Sequence, residues 1–344
     1  MKTEGTNPGA LQATNVGAVV KPTALASIGR DFWSRYGVPA ALVAMLVFFA
    51  VQSSAFMTES NIMNILRQSS VLAIAAIGTT IVLICGGIDI SMGAIMALAG
   101  IVAVVGVQTM GIPDGVSLVL ALLAAAAIGY LNGVLAERIR IPAFIATLGT
   151  SLVVRGVAFV YTEGRSIGFG RGETASGQVI QWLGKGFIGS VPVPVLLMLA
   201  LYVLGWIVMQ RSTWGMHTYA IGSSERAARV AGLKVTRHRI QVYVLAGVLS
   251  GLAGVILAGR LGSASPSLGN GVEFDILTAV VLGGTSIYGG KGNIGRTLIG
   301  ALFLSTLTNG LILMNVPTFY QEISQGIVLL LALTLDRLQS RGMR

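Results

Sequence analysis

Stretches of apolar residues separated by short polar segments make up most of this chain. A helix of about 20 apolar residues can cross a bilayer core of roughly 30 Å. We therefore predict an all-α integral membrane protein with about ten transmembrane helices. The predicted spans are Val38–Met57, Ser69–Ile88, Ile90–Pro113, Gly115–Ala136, Pro142–Tyr161, Pro192–Gln210, Ile240–Gly259, Ile276–Gly290, Thr297–Met314 and Pro317–Leu335.

Two of these apolar stretches end in the same pattern, GGxxIxxG, at residues 86–93 and 283–290. Glycine pairs weaken a helix, and a break inside a membrane is tolerated only where the backbone faces protein or a wet cavity. Corresponding breaks in two halves of a chain are a pointer to a transport path. The alternative is close helix packing through glycine. Residues 69–113 also leave two readings open, namely two full spans or a re-entrant hairpin.

Composition and charge support a membrane location. The chain is 54% hydrophobic and 10% charged, whereas soluble domains are about one quarter charged. With the amino terminus inside and ten spans, 17 of the 23 basic residues fall in the tails and loops on the cytoplasmic side, and this orientation places both termini in the cytoplasm. The net charge of +10 therefore reflects topology rather than nucleic-acid binding.

These patterns divide the chain into three parts. We predict a flexible cytoplasmic tail over residues 1–37, a transmembrane domain over 38–338 and a cytoplasmic carboxyl-terminal tail over 339–344. His217 and His238 have no ligand-like partners in the sequence, so no metal site is expected.

The long cytoplasmic loop at residues 211–239 contains a candidate docking helix. A serine hydroxyl can cap a helix over Glu225–Ala231, and Gly232 can end it. The small alanine side chains leave a low face that a partner's groove could receive, with the arginines reaching acidic groups. The alternative is a helical loop whose arginines only set the topology. The candidate residues are Ser223, Ser224, Glu225, Arg226, Ala227, Ala228, Arg229 and Gly232.

Four segments of the chain resemble the sugar permeases of bacterial ABC importers for ribose, xylose and related monosaccharides. They are GTTIVLICGGIDISMG, LNGVLAERIRIPAFIATLGT, AIGSSERAARVAGL and FDILTAVVLGGTSIYGGKGNIGRTLIGA. The resemblance runs in order from about Val38 to Leu338. Permeases for branched-chain amino acids share the architecture but lack the GGIDIS block in this form.

The resemblance implies a permease of the bacterial inner membrane that pairs with a second copy or a paralogue. A separate ABC ATPase would receive the docking helix, and a periplasmic sugar-binding protein would deliver the sugar. The chain lacks the G-x-x-x-x-G-K-[ST] loop that cradles nucleotide phosphates. We therefore expect ATP to be bound by the partner, with no cofactor and no enzymatic activity in this chain.

Polar residues inside the spans are the candidates for the sugar path, because they are costly unless they face water or a partner. Asp89 could instead cap the third span, the asparagines could join neighbouring helices, and Arg155 could snorkel or pair with an acid. The alternative function is a stand-alone secondary transporter or channel, for which Asp89 and Glu322 are the acids in or near spans. The path candidates are Asp89, Ser91, Asn132, Arg155, Thr285, Ser286 and Asn309.

Overall fold

The computed structural model describes residues 24–170 and 177–341, with side chains described for 36–170 and 177–334. The chain divides into two units at Gly37, and the features of interest all lie in the unit from Val38 onward. The helices are α1 (Ala24–Gln52), α2 (Glu59–Ile84), α3 (Met92–Gln108), α4 (Asp114–Glu137), α5 (Ala143–Thr162), α6 (Gln178–Lys185), α7 (Val193–Arg211), α8 (Thr213–Ser223), α9 (Glu225–Val230), α10 (Val235–Leu261), α11 (Val272–Leu282), α12 (Ile294–Leu313) and α13 (Thr318–Arg341).

Four two-residue strands form two small antiparallel ribbons. Strand β1 (Ile167–Gly168) pairs with β4 (Ser263–Ala264), with Ile167 opposite Ala264. Strand β2 (Phe187–Ile188) pairs with β3 (Val191–Pro192), with Phe187 opposite Pro192. These ribbons only connect helices, so the fold is helical throughout its core.

Six helices of the described residues, α2, α4, α5, α7, α10 and α12, are long and apolar enough to cross a membrane. Two shorter apolar helical stretches, Tyr36–Gln52 of α1 and the whole of α3, accompany them. The prediction of an all-α integral membrane protein is confirmed. Each of the ten predicted segments overlaps one helix of the structure.

Helices α2 and α10 form the centre of the bundle. In their most apolar windows 83% and 72% of the residues are buried, compared with 28% for α4 and for α5. Small residues bring the backbones close, since a Cβ on Gly78 of α2 would lie 2.8 Å from the Cα of Ala246. Close approach through small residues is the usual way in which helices associate in membranes.

Several boundaries differ from the prediction. Helix α11 ends at Leu282, where the predicted span continued to Gly290, because Gly283 caps the helix and Gly284 has a φ of +83°. The first helix begins at Ala24, within the segment predicted as a tail, and residues 1–23 and 342–344 lie outside the described residues. A helix that was not predicted, α8, occupies the start of the long loop.

The two readings of residues 69–113 can be compared with the length of α2. At 26 residues, α2 is about 39 Å long, which exceeds a bilayer core of roughly 30 Å. It ends at Ile84, and α3 begins at Met92 after a non-helical segment. At 17 residues, α3 is about 26 Å long and so is shorter than that core.

Candidate functional site

The first GGxxIxxG block is the unwound segment between α2 and α3. Gly86 has a φ of +80°, and a Cβ on Gly87 would lie 2.7 Å from the Tyr243 hydroxyl, so glycine is required at both positions. Two side chains of α10 donate to carbonyls of this segment. Arg239 Nε donates to Cys85 O (3.3 Å) and Tyr243 Oη donates to Ile88 O (3.3 Å). Protein groups thus replace the helix partners that the break removes.

Asp89, Ser91 and Asn132 form a single buried cluster at the start of α3. Asp89 Oδ1 accepts hydrogen bonds from the Ser91 backbone N (2.8 Å) and from Ser91 Oγ (2.6 Å). Asn132 Nδ2 donates to Ser91 Oγ (2.8 Å). A carboxylate that accepts from the backbone two residues ahead makes the turn that leads into a helix. Asp89 thus shapes the turn ahead of α3, whose N-cap residue is Ser91, and it does not itself cap the helix. Asp89 Oδ2 and Asn132 Oδ1 are buried without a partner among the described residues.

The second GGxxIxxG block meets the first. The backbone N of Gly290 donates to Ile84 O (2.8 Å), at the last residue of α2. A Cβ on Gly289 would lie 3.0 Å from the Cα of Gly86, and one on Gly222 of α8 would overlap Ile84 O. We call Gly86, Gly222, Gly289 and Gly290 the glycine junction. It joins both blocks to the helix that precedes α9.

Thr285 and Ser286 also belong to this second block rather than to an open path. Thr285 is fully buried, and its hydroxyl has no partner among the described residues. Ser286 Oγ accepts from the backbone N of Tyr288 (3.3 Å), and its own N donates to Lys291 O (3.0 Å). These contacts shape the turn between α11 and α12.

Helix α9 matches the predicted docking helix closely. Ser224 is its N-cap and accepts from the backbone N of Ala227 (3.3 Å), while Gly232 follows the helix with a φ of +81°. Ser223 instead ends α8, where its hydroxyl donates to Tyr219 O (2.8 Å). Arg226, Ala227, Arg229 and Ala231 are exposed.

One expectation for this helix is wrong. Ala228 is only 4% exposed, because it faces the hydrophobic core, so it cannot present its side chain to a partner. The most exposed apolar side chain of α9 is Val230, at 84%. The surface available to a partner is therefore formed by Arg226, Ala227, Arg229 and Val230.

An ion-pair network connects α9 to both α2 and α4. Arg239 Nη1 lies 2.9 Å from Glu225 Oε2 and 3.1 Å from Glu137 Oε1, and the Arg239 and Glu137 side chains are 15% and 11% exposed. Arg229 bonds the other Glu225 oxygen at 2.7 Å. The hydrogen bond from Arg229, together with the charge of Arg239, lowers the pKa of Glu225 below its usual value. We call Arg239, Glu137 and Glu225 the arginine network.

Arg155 and Asn309 lie elsewhere. Arg155 Nη1 donates to Pro266 O (2.9 Å), and the predicted ion pair is not formed within the hydrogen-bonding distances of the described residues. Arg155 Nη2 and Glu273 Oε2 nevertheless both face Gly93, at the start of α3. Asn309 exchanges two hydrogen bonds with Asn61 of α2, at 3.0 and 2.9 Å. This pair supports the helix-joining role for Asn309.

The end of the bundle opposite α9 carries a group of polar and acidic side chains from α11, α12 and α13. Helix α12 starts near α8, where Tyr219 Oη donates to Gly292 O (3.0 Å), and runs to the Asn61–Asn309 pair. Near that pair lie two cavities of about 740 and 380 Å³, both lined by Asp275 and Thr308. None of the seven predicted path residues lines either of these cavities.

Sequence reasoning missed the residues that link these features. Arg239 was counted only as a topology signal, and Glu137 was not considered. Glu273 and Asp275 were taken as outer-loop acids because charge normally marks the end of a span. Gln321 and Gln325 carried no signal, since uncharged amides within an apolar helix are not distinctive. A polar pattern on one face of α11 and α13 was the available clue.

Comparisons with known proteins agree with this architecture. Residues 61–333 match the family described as "Branched-chain amino acid transport system / permease component". The chain belongs to this permease family. No solved structure matched the chain.

Curated relatives extend the similarity over almost their whole length. The ribose import permease of Escherichia coli strain K12 is 44% identical over 301 residues, covering 86% of this chain and 92% of the relative. That of Bacillus subtilis strain 168 is 42% identical, covering 87% and 91%. The D-allose transport system permease of Escherichia coli strain K12 is 34% identical, covering 90% and 94%. The resemblance to bacterial monosaccharide permeases is confirmed.

Proposed function

We propose that this chain is the permease subunit of an ATP-driven importer that moves a monosaccharide across the bacterial inner membrane. The observation that carries the proposal is 42–44% identity to two ribose import permeases over 91–92% of their length. The family description names branched-chain amino acids. The relatives given above, however, are all named for sugars. A pentose or a related hexose is therefore the proposed cargo.

In the proposed topology the chain crosses the membrane ten times, with both termini and α9 in the cytoplasm. The support is the distribution of basic residues, which favours cytoplasmic loops. The end of the bundle with the two cavities then faces the periplasm, where a sugar-binding protein would release its ligand. A second permease, either another copy or a paralogue, would complete the pathway.

The proposed ATPase contact is the exposed surface of α9. Val230 supplies an apolar tip, and Arg226 and Arg229 flank it with positive charge. An apolar anchor surrounded by polar contacts is the usual composition of an interaction hot spot. Ala228 fixes the helix from behind by packing into the core. The helix is thus held firmly while its outer face stays available.

Movement of α9 would reach the pathway through two routes. The arginine network links Glu225 to the Cys85 carbonyl at the end of α2. The glycine junction presses α8 directly against both GGxxIxxG blocks. Because these contacts are close-packed, they leave little room for independent movement. Displacement of α9 by the ATPase would therefore shift the start of α3 and the end of α11 together. That shift would alternate access to the two sides.

Reconstitution in proteoliposomes tests the proposal. Permease incorporated with its ATPase and loaded binding protein should accumulate ribose or a related sugar only when ATP is supplied. Permease alone should accumulate nothing under a pH or sodium gradient. ATP-dependent accumulation of leucine instead of any sugar would overturn the proposal that the cargo is a monosaccharide.

The docking surface has a separate test. Val230→Asp should abolish co-purification with the ATPase, because a carboxylate at the apolar tip opposes its burial. Ile139→Asp serves as the matched control, since Ile139 is 60% exposed in the loop between α4 and α5, outside the predicted spans and outside α9. If Val230→Asp assembles and transports like the wild type, α9 is not the contact.

A stand-alone secondary transporter is the second candidate, and one observation favours it. Three carboxylates, Glu273, Asp275 and Glu322, line the larger cavity, and such groups can bind protons or sodium ions. Gradient-driven uptake by the permease alone would select this function over the first.

A further inference from the structure

Two cavities at the end of the bundle opposite α9 share Asp275 and Thr308 in their linings, and we call the two together the basin; none of the sequence-predicted path residues lines it. The larger lies among α11, α12 and α13, and the smaller among α2, α10, α11 and α12. Their volumes, about 740 and 380 Å³, fall within the roughly 300–1,000 Å³ range of small-molecule sites. We propose that this basin is the site that receives the neutral sugar, with Asp275 and Thr308 at its centre.

The donors and acceptors of the basin suit a polyhydroxylated molecule. Each sugar hydroxyl can both donate and accept, and carboxylates and amides can complement both roles. Asp275, Glu273 and Glu322 provide acceptors, and Gln321, Gln325 and Thr308 provide donors as well. Gln325 Nε2 already donates to Thr308 Oγ1 (3.1 Å), which fixes the orientation of both side chains.

One buried polar atom of the basin still lacks a partner. Ser305 is 3% exposed, lines the smaller cavity, and its Oγ has no hydrogen-bond partner among the described residues. A buried polar group left unpaired is costly and calls for an explanation. A sugar hydroxyl beside Ser305 would supply the missing bond.

The charges of the side chains that line the basin further narrow the class of molecule that it could bind. Three carboxylates face the larger cavity, whereas Arg260, in the smaller one, donates to Asn64 Oδ1 (2.8 Å). An anionic solute would meet like charges that are close and poorly screened. Apolar walls from Phe274, Leu304 and Val272 can cover the carbon face of a sugar ring. The basin therefore favours a neutral sugar over its phosphate ester.

Helix α11 connects this basin to the glycine junction. Its first turn carries Glu273 and Asp275, and its last residue precedes Gly283 of the second block. Over its 11 residues the helix spans about 16 Å. An occupant that shifts the start of α11 would thus act on the helix that packs against α2 and leads into the second block, whose Gly289 and Gly290 contact α8.

This inference rests on the proposed function, and its test keeps the two apart. The near-isosteric variants Asp275→Asn and Ser305→Ala are reconstituted with the ATPase and binding protein, and [14C]ribose uptake and ATP hydrolysis are measured together. Loss of one hydrogen bond should lower uptake about five-fold, while ATP hydrolysis stimulated by the loaded binding protein persists. Thr308→Trp should block uptake almost completely.

Ser250→Ala is the matched control. Ser250 is a fully buried serine of α10 whose hydroxyl also lacks a partner among the described residues, but it lines neither cavity. This variant should transport like the wild type. If Asp275→Asn and Ser305→Ala do so too, while the wild type imports ribose, the basin is not the sugar site and the proposed function stands. If the wild type imports no sugar with ATP, the proposed function itself fails.

Discussion

The two ends of the helical bundle differ in how closely their parts pack. At the α9 end, a Cβ on Gly222, Gly289 or Gly290 would lie within 3.0 Å of backbone atoms, and the arginine network pairs its charges within the chain. At the other end, the basin is lined by Ser305, whose buried hydroxyl has no partner among the described residues. If the basin receives the sugar as proposed, the first end transmits movement and the second meets the solute. Substitutions should therefore cost stability at the first end and transport at the second.

The largest loss of stability is expected from Arg239→Ala. It leaves the nearly buried Glu137 without its partner, and breaking a buried ion pair typically costs about 3–5 kcal/mol. Thermal unfolding of the detergent-purified protein would measure the loss. Arg226→Ala, at an exposed position of α9, should leave the unfolding temperature unchanged. An unaltered temperature for Arg239→Ala would mean that the network does not hold this end together.

Gly222→Ala should have the next largest effect. Its Cβ would overlap the Ile84 carbonyl, and such overpacking typically costs about 1–3 kcal/mol. Gly156→Ala is the matched control, because its Cβ would meet nothing within 4 Å on α5. Alanine there should stabilise the helix by about 0.5–1 kcal/mol. Equal unfolding temperatures for the two variants would contradict the tight junction.

Asp89→Asn sharpens the contrast by changing a polar residue outside the basin. Asparagine keeps an acceptor for the Ser91 backbone N, so the stability loss should be no more than about 1 kcal/mol. Uptake should remain near the wild-type rate, since Asp89 lines neither cavity of the basin. If the variant loses uptake while its stability is unchanged, Asp89 belongs to the sugar path.

The smallest effect concerns pH and Glu225. Because the folded pKa of Glu225 is lowered, its contribution is present above the unfolded pKa of about 4.3 and is lost as the pH falls through the folded value. The difference in unfolding temperature between the wild type and Glu225→Gln should thus be constant from pH 8 to about 5.5 and shrink below about pH 4.3. A difference in unfolding temperature that grows on acidification would contradict the lowered pKa of Glu225.

The sequence was sufficient for the helical membrane class but not for the site. Long apolar runs located the six described helices that are long and apolar enough to cross a membrane, since burial in lipid leaves a strong signal. Helix α8 was missed because Gly215 and Gly222 interrupt its pattern, although both are needed for its close contacts. Serine capping and Gly232 predicted α9 correctly, because capping is a local property.

The direction in which a side chain points is a tertiary property, and here prediction was weaker. Asn309 was correctly identified as a buried polar residue, but its partner Asn61 lies 248 positions away. Ala228 was placed on the outer face of α9, whereas packing against the core turns it inward. Asp275 was assigned to a loop and lies on α11 in the basin. Such pairings depend on how distant helices meet.

The reciprocal amide pair between Asn61 and Asn309 has a mechanical consequence. A second bond joins the same two helices near their other ends, between the hydroxyls of Thr80 and Thr297 (2.9 Å). The two contacts are 19 residues apart along α2, or about 28 Å. We therefore expect helices α2 and α12 to move as one rigid unit. Spin-label distances between these two helices should stay constant through a transport cycle, while distances from either of them to α13 change.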